Sequence, residues 1–376
     1  MSRSPGCGKV YPPRFPGFNV DSMLECDFEI PRLSRSSHIE VRTLSAARTS
    51  KWMLIACLML VALPSRPQTL PTTTSGTLPD SGFLWLPQLA PAGPMTIVVS
   101  LPLQRAYVFR NGIRIGVSRV STGKTGYETP TGVFTILQKH REHYSNLYDD
   151  APMPLMQRLT WDGVALHAGQ VPDYPASHGC IRLPYAFAEH LFDATTTGMT
   201  VIVSASRDVA AIVQSEPLAA RMDTPAPRTA QESGYQWEPQ RSETGPVTVV
   251  VGAVEQEIVV LRNAVEIGRA PVNIAAGTWH GTRAYLLLQG SGPGTSRVVP
   301  GRPALRWLEI PLGPVSETAS DPAQAIDAGL MRFDPGFAAR IYDVLVPGAT
   351  VLVTDEPVGT RPVSAEALLD AERPAE

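Results

Sequence analysis

The sequence predicts a mainly β protein with a few short helices, built from one domain that occurs twice in the chain. Three observations carry that prediction. Met95 to Ser100 (MTIVVS) and Arg105 to Arg110 (RAYVFR) are runs of β-branched and aromatic residues, the types that fit a pleated, half-buried surface. Asn111-Gly112 follows them and precedes Ile113 to Val117, and this dipeptide readily takes the left-handed angles of a tight hairpin turn. Gly245 to Gly268 (GPVTVVVGAVEQEIVVLRNAVEIG) then repeats Gly93 to Gly116 (GPMTIVVSLPLQRAYVFRNGIRIG) without a gap, with 11 of 24 positions identical. Self-similarity of this kind marks a repeated structural unit.

Taken in order, residues 1–51 read as a poorly structured N-terminal extension. Trp52 to Leu63 (WMLIACLMLVAL) is an unbroken apolar run preceded by Arg42, Arg48 and Lys51 and followed by Pro64. It is too short to span a bilayer, and basic residues, apolar stretch and helix breaker in that order form a signal-peptide pattern. Export to the periplasm or cell envelope is expected. The run lies further from the first Met than signal peptides usually do, which points to a start codon placed too far upstream. No A-x-A site follows it, so an inner-membrane anchor through residues 52–63 is the alternative. Residues 64–92, rich in Pro, Thr and Ser, read as a tether, and ordered structure is expected from Gly93.

The two copies are placed at 93–206 and 244–356, with a Pro/Gln/Ser-rich linker at 207–243 and a tail at 357–376. A second match, Phe187 to Ser204 with Phe337 to Thr354, closes each copy with a helix, a glycine turn and a strand. Helices are predicted at Pro184 to Ala194 and Phe337 to Val344. His143 to Thr160 has two prolines and little periodicity, and reads as a long ordered loop of the kind that often carries function.

A net charge of −3 over 376 residues, with 43% hydrophobic content, excludes the basic footprint of a nucleic-acid binder. Of the four cysteines, Cys7, Cys26 and Cys57 precede or lie in the targeting run, which leaves Cys180. A lone thiol in an exported protein is either inert core or a reactive group.

Its surroundings point to chemistry. Ala165 to Pro184 reads ALHAGQVPDYPASHGCIRLP, with His167 upstream of Ser177-His178-Gly179-Cys180-Ile181-Arg182. Ser121-Thr122-Gly123-Lys124 and Thr129-Pro130-Thr131-Gly132-Val133-Phe134 lie further upstream. These motifs resemble those of the L,D-transpeptidase catalytic domain, over about 93 to 206. The resemblance implies a β-sandwich with short helices. It also implies a cysteine acyl-transfer enzyme acting on peptidoglycan stem peptides, and a thioester resolved by an acceptor amine or by water. It assigns Cys180 as nucleophile, His167 as base and His178 as its support, and an oxyanion hole from the backbone around His178, Gly179 and Cys180. Carbapenem-type inhibitors are expected to acylate Cys180.

The chemistry is intelligible from the residues themselves. A free thiol is only a few per cent ionised at neutral pH and needs a neighbouring base or cation. If Ser177 to Leu183 is extended, His178, Cys180 and Arg182 share one face and Ser177 turns to the other. A neighbouring strand at Val164 to His167 then buries Val164 and Leu166 and offers His167 from its other face. The residues alone leave either histidine as the base. Gly179 permits close approach of substrate, and Arg182 binds a substrate carboxylate or holds the site loop.

Taken singly, Cys180, His167, His178 and Arg182 each have an ordinary structural explanation; it is their joint spacing that favours catalysis. No carboxylate or second Cys stands at zinc-ligand spacing, so no metal or other cofactor is expected. His140 and His143 read as solvated surface. Tyr148, Met153 and Met156 either line a substrate groove or only cover the core. Two other readings are a non-catalytic wall-binding module and a sortase-like transpeptidase, although Ser-His-Gly-Cys with Arg two residues on departs from the sortase pattern. In the second copy Leu330 falls opposite Cys180 and Gly313 opposite His167, so that copy is expected to be catalytically degenerate.

Overall fold

The computed structural model describes residues 78–79, 82–145, 151–213, 217, 234–275, 277, 279–314 and 331–358. The extension at 1–51, the apolar run at 52–63 and most of the tail lie outside the described residues, as do Tyr148 and Leu330. Ser75 to Glu376 forms one compact unit that holds both halves.

The first half runs β1 (Phe83–Trp85), β2 (Met95–Ser100), β3 (Arg105–Arg110), β4 (Ile113–Arg119), β5 (Gly132–Thr135), β6 (Gln138–His140), β7 (Met156–Arg158), β8 (Ala165–Ala168), β9 (Ile181–Leu183), α1 (Tyr185–Ala194) and β10 (Thr200–Ser204). Six strands make a sheet in the order β1-β4-β3-β2-β10-β5, and β6-β7-β8-β9 make a smaller one. A single core fills the space between the sheets and α1. Ile97, Val99 and Val108 enter it from the large sheet, Leu166, Ile181 and Leu183 from the small one, and Phe187 and Leu191 from α1.

Ordered structure begins earlier than expected. Phe83, Leu84 and Trp85 pair with Ser118, Val117 and Gly116, and Trp85 meets the Phe187 ring edge-on at 5.7 Å. An aromatic pair inside a Pro-rich stretch is enough to dock it on the sheet edge. The linker likewise contains β11 (Ala211–Val213) and β12 (Gln236–Trp237). The long loop expected at His143 to Thr160 is instead largely an irregular hairpin. Its base is the β6–β7 pair, and hydrogen bonds from Ser145 N to Ala151 O (3.0 Å) and Met153 N to His143 O (2.8 Å) carry it outward.

The second half runs β13 (Val247–Gly252), β14 (Glu257–Arg262), β15 (Val265–Ile274), β16 (Arg283–Thr295), β17 (Pro303–Pro311), β18 (Met331–Phe333), α2 (Pro335–Val344) and β19 (Thr350–Thr354). Its correspondence with the first half extends to irregularities. The register slips between Val108 and Phe109 and again between Val260 and Leu261. Gln104 (φ 47°) donates to Leu101 O and accepts from Thr122 N; Gln256 (φ 56°) donates to Ala253 O and accepts from Ile274 N. Ser121 faces Arg182 across a bridge, and Asn273 faces Arg332.

The large sheets of the two halves pack together. Val98, Phe109 and Ile202 meet Leu286, Leu288, Leu308 and Ile310 in one apolar layer. This is why β2 and β10 read as continuous apolar runs rather than alternating ones: both of their faces are covered. Ser204 Oγ donates to Pro311 O (2.6 Å) and Ala205 N to Leu312 O (2.7 Å), which close the seam.

The hairpin turns differ in one residue. Asn111-Gly112 has φ of 49° and 80°, and Asn263-Ala264 has 51° and 61°. A side chain in the left-handed region is strained, and Ala264 is exposed, with no packing role to offset the cost. Ala264→Gly is expected to raise stability by roughly 0.5–1 kcal/mol in equilibrium urea unfolding.

Candidate active site

The small sheet has two faces, and strand alternation assigns residues to them. Leu166, Ala168, Ile181 and Leu183 point into the core, so Ala165, His167 and Arg182 stand on the opposite side. β8 and β9 are parallel, with Leu166 beside Ile181 and His167 beside Arg182. β7 runs antiparallel to β8, and Arg158 lies opposite Ala165.

Cys180 immediately precedes β9, and its side chain packs against Met153, Met156 and Ala165. Its thiol donates to Gly163 O at 3.3 Å, and the Ala165 N–H also favours the sulfur in its ionised form. The sulfur therefore lies over the start of β8. His167 stands two residues along on the same face, about 6.6 Å away in strand rise. His167 Nδ1 lies 2.8 Å from Ala168 O. A carbonyl only accepts, so Nδ1 carries the proton and Nε2 keeps the basic lone pair. At Gly169 a Cβ would lie 3.5 Å from Arg182 Cδ and 3.6 Å from His167 Cε1, so both side chains flank that residue.

The loop bearing Cys180 is held from behind by the two upstream motifs. Ser121 and Arg182 exchange backbone hydrogen bonds, Ala176 N and Ser177 N donate to Thr122 O, and Lys124 N donates to Ser177 O. Thr129 Oγ1 accepts from Gly123 N and donates to Gly179 O (2.8 Å). Ser177 Oγ donates to Cys180 O and accepts from Gly179 N (3.2 Å). Ser177 is thus a buried brace, and the Gly179 N–H expected in an oxyanion hole is already engaged.

The chain does not run extended from Ser177 to Leu183. Gly179 has φ 110°, and strand alternation begins only at Ile181. The alternation that would put His178 on the face of Cys180 and Arg182 therefore does not apply to it. His178 is exposed, and its ring meets Tyr127 edge-on at 4.7 Å. Met153 is buried against Cys180. His143, expected on the surface, is half-buried and stacks on His140 at 6.0 Å. Arg158, Gly163 and Tyr127 were not anticipated at the site. Treating Met156 to Arg158 as a strand would have found Arg158, by its i, i+2 spacing from Met156.

Electrostatics differ from the expected ionised sulfur. Burial pushes the Cys180 thiol up, against the pull of the Ala165 N–H and the Arg182 and Arg158 guanidiniums. Burial also drives His167 down to about 4, helped by Arg182 and His143 and opposed by its bond to Ala168. At neutral pH the resting pair is a neutral thiol and a neutral imidazole. Among the described residues no group of three or more His, Cys, Asp or Glu is placed to hold a metal ion.

Residues 94–203 match the family model of the YkuD L,D-transpeptidase catalytic domain. Solved structures similar to this chain include an L,D-transpeptidase from Mycobacterium smegmatis, with 25% identity and a TM-score of 0.29, covering 30% of this chain and 59% of that one. The L,D-transpeptidase from Stackebrandtia nassauensis has 31% identity and a TM-score of 0.28, covering 30% and 56%. L,D-transpeptidase 3 from Mycobacterium tuberculosis with a faropenem-derived adduct has 26% identity and a TM-score of 0.28, covering 30% and 60%. The chain thus spans under two thirds of the length of these structures. The comparison with curated proteins returned no match.

Two predictions follow from the geometry. A Cβ on Gly123 would lie 1.9 Å from Tyr127 O and 2.7 Å from Thr129 N, so backbone has to move and Thr129 loses its grip on Gly179. Gly123→Ala is expected to destabilise the protein by about 1–3 kcal/mol in urea unfolding and to disturb the environment of Cys180. The second concerns pH. His167 is depressed in the folded state, so between pH 6.5 and 4 the unfolded chain binds the extra proton, and stability falls as pH falls through that window. The loss reaches about 3 kcal/mol below pH 4. Unfolding followed from pH 7 to 4 is expected to show this slope in the wild type and a flatter one in His167→Gln.

Proposed function

We propose that the chain is a peptidoglycan L,D-transpeptidase that acts through a Cys180 thioester. The observation that carries this reading is the placement of the Cys180 thiol over the strand that presents His167, whose basic Nε2 is left available by the Nδ1 bond to Ala168. The family match at 94–203 supports it.

In the proposed reaction, substrate enters with both groups neutral. As Cys180 Sγ attacks the carbonyl of the third stem residue, His167 Nε2 takes the thiol proton, so an ion pair forms only along the reaction path. The tetrahedral oxyanion is stabilised by backbone donors, with Cys180 N–H in that role because Gly179 N–H is held by Ser177. Collapse breaks the peptide bond, and the departing amine of the terminal D-residue takes the proton from His167. An acceptor amine then attacks the thioester and returns a proton through His167 to the sulfur, forming a cross-link. Water in place of the amine trims the stem. His178, edge-on to Tyr127, braces the loop rather than serving as the base.

The second half is, in this reading, a duplicated copy without the chemistry. The shared Gln clamps and register slips support duplication, and Gly313 stands where alignment places His167. Its role is to cover the outer face of the six-stranded sheet that backs the catalytic half. Export to the cell envelope completes the proposal.

Incubating the purified protein with defined tetrapeptide muropeptides and resolving products by mass tests it. Cross-linked or trimmed products are expected from the wild type and none from Cys180→Ala; His167→Ala is expected to lose about 10²–10⁴-fold in rate. A carbapenem adduct is expected on the intact wild type, and its persistence in Cys180→Ala would reject the nucleophile.

A further inference from the structure

We propose that Arg158 is a substrate-binding residue that receives the free terminal carboxylate of the peptide donor beside Cys180. This rests on the transpeptidase reading above and deepens it by naming the charge that the site selects.

Arg158 lies directly opposite Ala165 in an antiparallel pair, and opposed residues project from the same face. Ala165 touches Cys180, so the guanidinium emerges on the face that carries the sulfur. Met156, two residues before it, confirms the side, since Met156 belongs to the same small cluster as Cys180. The Arg158 charge favours ionised Cys180 and disfavours protonated His143, so it acts on both the sulfur and the hairpin beyond β6.

This cation is not neutralised within the described protein. Arg119 pairs with Asp173, Arg141 with Asp193 and Arg269 with Glu257 and Glu266. Among the described residues no carboxylate pairs with Arg158, and its buried Nε–H has no acceptor. The Trp161 ring lies 5.9 Å from the guanidinium carbon and orients the planar group without cancelling its charge. A buried donor with no acceptor is costly, and an oriented guanidinium matches a carboxylate through two parallel hydrogen bonds. A peptide donor brings such a carboxylate on the residue that leaves. Arg158 would therefore act in acylation and lose its ligand when the terminal residue departs.

The test pairs two thiol reagents of similar size, anionic iodoacetate and neutral iodoacetamide, on the full chain. The iodoacetate-to-iodoacetamide rate ratio for Cys180 is expected to fall roughly tenfold in Arg158→Gln, with partial recovery in Arg158→Lys, as loss of a charge-assisted contact implies. Thermal unfolding and tryptophan emission check that each variant is folded, and Arg158→Lys keeps the charge should Arg158→Gln fail that check. With muropeptides, Arg158→Gln is expected to raise KM for a tetrapeptide with a free terminal carboxylate and to leave its C-terminal amide unchanged. A ratio unaltered in Arg158→Gln, or lost only in Arg182→Gln, overturns the assignment. If the wild type turns over no muropeptide, the transpeptidase reading fails, and the alkylation ratio still decides whether Arg158 attracts a carboxylate.

Discussion

Strand alternation in the four-stranded sheet links the core to the site, and it leaves the site residues little freedom. Leu166, Ala168, Ile181 and Leu183 are buried against the large sheet and α1. Turning any of them outward forfeits about 1.5–3 kcal/mol of apolar burial per large side chain. With that face committed, Ala165, His167 and Arg182 stand on the other, and the antiparallel register brings Arg158 to the same side. A one-residue slip would exchange the faces and dismantle both at once.

On that platform the loop at Ser177 to Cys180 is positioned mainly by backbone hydrogen bonds. Thr122, Thr129 and Ser177 spend their polar groups on this loop rather than on solvent, and Gly123 is where the supporting segments come too close for a Cβ. The electrostatic result is a site poised but not ionised. Burial opposes charge on Cys180 and on His167, while Arg158 and Arg182 lean the sulfur toward thiolate. An anionic substrate that occupies Arg158 offsets part of that bias, so its attraction for substrate and its help to the thiolate compete.

The second half bears on the first through the shared apolar layer. Val98 and Ile202 are fully buried, yet they lie on the face of the six-stranded sheet turned away from its own core. Leu286, Leu308 and Ile310 supply the cover. A half that carries no reactive thiol among its described residues still completes the burial of the sheet, which gives a physical reason for both to form one compact unit.

Much of this was legible in the residues. The Asn-Gly turn, the β-branched runs, both helices and the His167 strand were placed by local chemistry, because turn angles, caps and period-two burial act over a few neighbouring residues. The docking of Phe83 to Trp85 was missed because a Pro-rich composition masked an aromatic pair whose partners lie about a hundred residues away. The β6–β7 hairpin was read as loop because Met156 to Arg158 is too short to declare a period by itself.

The sequence by itself determined which side chains are candidates for chemistry and roughly which strands hold them, since spacing and alternation are local. Only the tertiary structure decided that Gly179 breaks the extended run after His178, that burial opposes charge on Cys180 and His167, and that Arg158 arrives on their face of the sheet. Those outcomes depend on desolvation and on register between segments distant in the chain, and neither is written in any short stretch of residues.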